Sequence, residues 1–247
     1  MLLRAPLLAV AAVLLLLHRV GPTSMKMGDM QMPMPAVFPG HSSNLAEEVE
    51  RISKALALEP GSRYAEVGGG NGLLFGQIAP RTMPGGAVYG TGVNEAEVAA
   101  MDAAAATAGV PNAIVVVAEP RASGLPSGCC DAILLRMVYH MLEAPADYLR
   151  DFRSALRPGG RLLLLEHDSD NGKTGRKGAK LTVTMPSGMV MNMPVVPPAA
   201  LLAEAAAAGF EVESAYWPHG EVEPWPYFSD PAHGDDERGY AVLLKSP

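Results

Sequence analysis

The sequence predicts an α/β fold: a doubly wound sheet of seven strands, mostly parallel, with one antiparallel edge strand. Two observations predict it. Short apolar runs alternate with amphipathic stretches between residues 44 and 216, the pattern of successive crossover units on a parallel sheet. The last two apolar runs, 210–216 and 240–244, have no helical stretch between them, so a hairpin joins them and one strand runs antiparallel.

Each element has its own signal. Leu45, Val49, Ile52 and Leu56 recur at helical spacing, with Asn44 placed to cap and Glu47 three residues on. Pro60 and Gly61 end that helix, a strand follows over 64–67, and Leu73, Leu74 and Ile78 resume a helical pattern after a glycine cluster. Further strands read at 87–90, 113–118, 132–136 and 161–166, separated by helices such as 95–108 and 145–156. A helix over 198–208 is closed by Gly209. The lysine-rich stretch 173–180 and the Pro-, Asp- and Glu-rich stretch 218–238 read as surface loops. Met185, Met189, Met191 and Met193 read as gap-filling residues or a substrate-facing wall.

With 247 residues and 49% apolar composition the chain can bury a sizeable core. Its net charge of -7 argues against a partner gripped through nucleic-acid phosphates and for a small molecule or another protein. Cys129 and Cys130 are adjacent, which suits neither a disulfide framework nor a CxxC site, and they read as small apolar residues opening a strand. Residues 1–24 carry Arg4, an apolar run and then His18 and Arg19, and read as a targeting segment: a secretory signal, an uncleaved membrane anchor or an organelle transit peptide. Export or membrane tethering is the expectation. Residues 25–42 form a Met- and Pro-rich linker, either a spacer or a soft-metal site through Met25, Met27, Met30, Met32 and Met34. The folded domain is expected over 43–247.

The chemistry concentrates at Glu66-Val67-Gly68-Gly69-Gly70-Asn71-Gly72, at a strand-to-helix turn where glycine lets the backbone approach a ligand. As a dinucleotide fingerprint it fails at Leu73, where glycine or alanine is expected. As acid-x-Gly-x-Gly-x-Gly it is complete.

That motif resembles the first signature of class I S-adenosylmethionine-dependent methyltransferases, whose fold is Rossmann-like. Further landmarks follow in family order: Val88-Tyr89-Gly90-Thr91-Gly92, Ala118-Glu119-Pro120, Leu125-Pro126, the strand 131–136, Leu156-Arg157-Pro158-Gly159-Gly160-Arg161, and Ala208-Gly209-Phe210. Tyr139-His140 resembles a subgroup carrying Tyr-His or His-His after its fourth strand. The resemblance implies S-adenosyl-L-methionine as cofactor and methyl transfer to a small-molecule acceptor. It implies that Glu66 orients the turn and the amino-acid part of the cofactor, and that Gly68, Gly70 and Gly72 let the methionine portion and ribose lie on the backbone. Glu119 and Pro120 fall where adenine is contacted, and Arg136 and Met137 beneath the cofactor. Tyr139 and His140 become the catalytic candidates, at the same mouth as Glu166 and His167. His140 reads as a general base or as a structural histidine. His167, Asp168 and Asp170 read as a solvated turn rather than metal ligands. The family's acid at the end of strand two is replaced by Gly92, leaving Asn94 and Glu95 as candidates for the ribose hydroxyls.

Two other readings compete. A nicotinamide-dependent oxidoreductase is disfavoured by Leu73. A non-catalytic exported or membrane-tethered binding protein, holding soft metal through its Met-rich segment, is favoured by the N-terminal stretch and by Gly92.

Overall fold

The structure, a computed structural model, describes residues 45–184, 190–216 and 239–247. The amphipathic helix α1 (Leu45–Ala55) leads into β1 (Arg63–Val67), the glycine turn and α2 (Leu73–Ile78). Then come β2 (Ala87–Gly92), α3 (Glu95–Thr107), β3 (Ile114–Val117), β4 (Cys130–Arg136), α4 (Pro145–Ala155) and β5 (Leu156–His167). The chain continues through a hairpin, β6 (Lys180–Thr184) and β7 (Val190–Pro194), to α5 (Pro198–Ala207), β8 (Glu211–Tyr216) and β9 (Gly239–Lys245).

Seven strands form one sheet in the order β3-β2-β1-β4-β5-β9-β8. The doubly wound, mostly parallel sheet is therefore as expected, and β8 and β9 pair antiparallel. The antiparallel strand β9 stands one place in from the edge, between β5 and β8, with Leu163 opposite Leu243. Its position follows from burial: the run from Tyr240 to Leu244 is buried at every residue and requires a neighbour on each side.

Each face of the sheet carries its own apolar layer. On one, Ala65, Val67, Ile133, Leu135, Leu162 and Leu164 pack under α4 and α5. On the other, Tyr64, Val88, Ala132, Leu134, Leu163 and Leu165 pack under α1, α2 and α3. The right-handed crossovers bring the carboxyl ends of the parallel strands to one edge, where the loops after β1, β2, β3, β4 and β5 converge.

Three expectations need correction or completion. The stretch after the lysine-rich loop forms the β6–β7 hairpin, with Lys180 opposite Pro194 and Thr184 opposite Val190, so Met191 and Met193 lie on a strand, Met193 packing against the small cluster of Ala179, Leu181 and Val195. Met185 and Met189 lie outside the described residues, as do the targeting segment, the Met-rich linker and the 218–238 stretch. Cys129 and Cys130 are joined in a vicinal disulfide, contrary to the reading of their spacing, because a ring can close across a single peptide; both remain buried at the start of β4. Among the described residues no helix is long and apolar enough to cross a membrane.

The seating of α3 is set by glycine. A Cβ placed on Gly72, whose φ is +75°, would lie 2.9 Å from Ala100 O, Met101 Cα and Ala104 Cβ. Gly72→Ala therefore combines a left-handed backbone penalty with a backbone clash and is expected to cost about 3 kcal/mol, lowering Tm by roughly 6–12 °C. Gly109→Ala, at φ +81° with nothing within 4 Å of the new carbon, is expected to cost only about 1 kcal/mol. Equal shifts for the two variants in thermal denaturation would show that α3 is not packed this closely.

Candidate functional site

The glycine turn is built from the end of β1. Gly68 and Gly69 donate their N–H groups to Thr91 O at 2.7 and 3.4 Å, tying the turn to β2, and the Gly72 N–H closes it on Gly69 O at 2.9 Å. Gly68, Gly70 and Gly72 take φ of +71°, +55° and +75°. The three differ in surroundings. Gly68 lies against Val138, whose Cγ2 would be 2.6 Å from an added Cβ, and Gly72 lies against α3, whereas a Cβ on Gly70 would meet nothing within 4 Å. Gly70 thus presents bare backbone to open space, the cradle a ligand needs.

The segment after β4 shares that mouth. Met137 sits at φ +57°, a costly conformation for a side-chain-bearing residue, and its N–H is held by Leu165 O at 2.9 Å. The kink turns successive side chains to different neighbours: Val138 to Gly68, Tyr139 into the core, His140 to Glu166. His140 Nδ1 lies 2.9 Å from Glu166 Oε2, and the His140 backbone N–H donates to Oε1 at 3.3 Å. A carboxylate can only accept, so in its neutral form the imidazole carries its N–H on Nδ1 and its lone pair on Nε2. Both side chains are almost wholly buried, at 8% and 0% exposure.

Tyr139 is fully buried and donates its hydroxyl to Glu204 Oε2 at 2.6 Å. Glu204 in turn accepts a two-pronged bond from Arg176, at 3.1 and 2.9 Å, and the Arg176 guanidinium stands 4.9 Å over the Tyr139 ring. Burial, then the Glu204 carboxylate, push the phenol pKa well up, so Tyr139 stays a donor. Its hydroxyl is committed to α5.

On the opposite face, Glu66 is buried and accepts from the Tyr64 hydroxyl at 2.9 Å. Arg136, at the end of β4, pairs with Glu48 of α1 at 2.6 Å. Burial raises the Glu66 pKa to about 7, partly offset by the Tyr64 hydrogen bond and Arg136. His167 is pushed the other way, to about 4, by burial and by the nearby His140 and Arg136.

Other predicted residues are placed less centrally. Gly92 is buried, with Glu97 Cβ 2.8 Å from where its own Cβ would be. Asn94 caps α3, its Oδ1 accepting from the Glu97 N–H at 3.0 Å. Glu119 and Pro120 are exposed, and the Glu119 backbone is held by a bridge to Ala122 and by the Tyr148 hydroxyl. Glu48, Tyr64, Glu97, Arg176 and Glu204 were not among the predicted site residues. Two of these carried a signal: Glu48, a carboxylate inside the apolar stripe of α1, and Glu97, three residues after the capping Asn94. A shallow groove of about 410 Å³ lies at the opposite, amino ends of the strands, beside Gly61, Asp131 and Gly159, and none of the predicted site residues lines it.

The two shifted groups have opposite linkage. Glu66, raised from 4.5, contributes stability that is full below pH 4.5 and is lost as pH rises through about 7. His167, lowered from 6.5, contributes stability that is present above pH 6.5 and is lost as pH falls through about 4. Between pH 4.5 and 6.5 their slopes, each up to about 1.4 kcal/mol per pH unit, offset. Over that window Glu66→Gln is expected to make Tm rise with pH relative to the parent, and His167→Gln to make it fall. Parallel Tm profiles for all three proteins would contradict this assignment.

Comparison with known proteins fits this geometry. A protein from Streptomyces fradiae, described as an uncharacterized 37.1 kDa protein in transposon TN4556, is 30% identical over 117 residues, 47% of this chain; the match spans about a third (33%) of that relative. The fold is similar to a crystal structure of a SAM-dependent methyltransferase from Aquifex aeolicus, with TM-score 0.59, 17% identity, and 81% of this chain and 90% of that one covered. It is also similar to the [4+2]-cyclase SpnF, with TM-score 0.63, 18% identity, and 82% and 81% covered. The profile of a family described as a methyltransferase domain matches residues 41–215, most of the chain, and this protein belongs to that family.

Proposed function

We propose that the chain transfers the methyl group of S-adenosyl-L-methionine to an O–H or N–H nucleophile of a small-molecule acceptor, with His140 receiving the acceptor's proton. The observation that carries this reading is the His140–Glu166 pair, held two residues beyond Val138, which packs on the glycine turn.

The methyl donor is S-adenosyl-L-methionine, and the residues present fit it: the turn from Gly68 to Gly72 is tied down by β2 and leaves Gly70 bare. When bound, that cofactor supplies an electrophilic methyl on a sulfonium. The chain's own work is to hold an acceptor in line with it and to exclude water, which positioning alone can make effective. Glu166 fixes the imidazole so that Nε2 takes the proton as the acceptor's new bond to carbon forms. The products are the methylated acceptor, S-adenosylhomocysteine and a proton on His140. Tyr139 does not join this step; through Glu204 and Arg176 it fixes the segment that carries His140. The net charge of -7 supports a small acceptor over a nucleic acid.

Two measurements test the reading. Gly70→Val is expected to abolish S-adenosylhomocysteine binding in calorimetry while the domain keeps its fold, because the branched side chain would occupy the open cradle; a folded variant with unchanged affinity would remove the cofactor from this turn. In assays of labelled methyl transfer to a panel of phenols, alcohols and amines, His140→Ala is expected to lower turnover about 100-fold or more while S-adenosylhomocysteine affinity changes little. A parallel loss of binding and turnover would make His140 a cofactor ligand. A parent protein that binds the cofactor and methylates none of the panel would reject the O–H or N–H acceptor class.

A further inference from the structure

We infer that Glu97, in the first turn of α3, supplies the carboxylate that binds the ribose hydroxyls of the cofactor, in place of the side chain that Gly92 lacks. The inference rests on the cofactor reading above and adds a residue to it.

A nucleoside seated on a glycine turn after the first strand lays its ribose toward the carboxyl end of the second, where an acid about 20 residues past the glycines ordinarily accepts from the sugar hydroxyls. Here that strand ends in Gly92. No acid fits there: a Cβ on Gly92 would lie 2.8 Å from Glu97 Cβ, 3.1 Å from Val98 N and 3.3 Å from Glu97 C. The volume a strand-end side chain would fill is already taken by Glu97.

Glu97 is not merely nearby. Its side chain folds back over the strand end, Oε2 accepting from the Val93 N–H at 3.1 Å, which leaves Oε1 without a protein partner among the described residues. The residue is half-buried, open enough for a ligand and enclosed enough for a charged hydrogen bond to matter. One helical turn on, Met101 packs its methyl against Gly69 and Gly90, with Cε 2.4 and 2.6 Å from Cβ atoms placed there. Residues at i and i+4 share a helix face, so Glu97 belongs to the stripe of α3 that covers the glycine turn, on the side nearer the mouth.

The alternatives are occupied or misdirected. Asn94 Oδ1 is engaged by the Glu97 N–H at 3.0 Å. Glu95 is exposed and two residues from Glu97, hence on the other side of the helix.

The test pairs residue and ligand. Glu97→Gln keeps an oxygen for the Val93 N–H and removes the charge. In calorimetry it is expected to weaken S-adenosylhomocysteine about tenfold or more and to weaken the 2′,3′-dideoxy analogue no more than about twofold, with Tm of the free protein nearly unchanged. Glu97→Asp, which keeps the charge on a shorter arm, is expected to lie between. Equal loss for both ligands, or no loss for either, would overturn the assignment and leave Glu97 a capping residue. A parent protein that fails to bind S-adenosylhomocysteine would overturn the cofactor reading itself, an outcome distinct from a parent that binds and a Glu97 variant that binds as well.

Discussion

The close approach of α3 to the ends of β1 and β2 is the constraint on which the site depends. Gly69, Gly72, Gly90 and Gly92 all face that helix: a methyl group on Gly72 or Gly92 would crowd its backbone and Cβ atoms, and one on Gly69 or Gly90 would meet the end of the Met101 side chain. The approach lets Met101 fill the space between the two strands with one flexible apolar side chain. It also holds the glycine turn from behind, and within that turn the glycine with open space around it is Gly70. Several small residues thus act as one unit: their cost in chain entropy is offset by a helix seated nearer the sheet than a Cβ would permit.

The two faces of the sheet present different chemistry at the same mouth. On the face under α4 and α5, Glu166 and Glu204 each bind a single neighbour of the chain segment after β4. On the face under α1 to α3 lie the buried carboxyls of Glu66 and Glu48, the latter paired with the half-buried Arg136. Burying carboxylates in one layer is costly unless they are paired, and the layer manages this by pairing Glu48 with Arg136 and by moving Glu66 toward its neutral form. The first face orients an imidazole, and the second stabilises the floor.

The strands and helices were legible because their signals are local. Residues such as Val49, Ile52 and Leu56 state a helix by spacing, and the glycines of 68–72 state a turn by composition. The β6–β7 hairpin was not legible, since its strands Lys180–Thr184 and Val190–Pro194 are short and mix polar with apolar residues. Pairings across long sequence separations were equally hidden: Tyr139 reaches Glu204 over 65 positions and Arg136 reaches Glu48 over 88. Read along the chain, Gly92 gives no hint of its neighbour; the packing of Glu97 onto it, which leaves no room for a side chain, appears only in the fold.

Tyr139 and His140 are neighbours tied to two different partners, one to α5 and one to β5. A side chain held in this way gives up its rotational freedom when the protein folds, so that little ordering is left to be done when a ligand arrives. The expense falls on the stability of the free protein, spread over Glu204, Arg176 and Glu166. A substitution far from the mouth that loosened α5 would therefore return disorder to the imidazole without touching it.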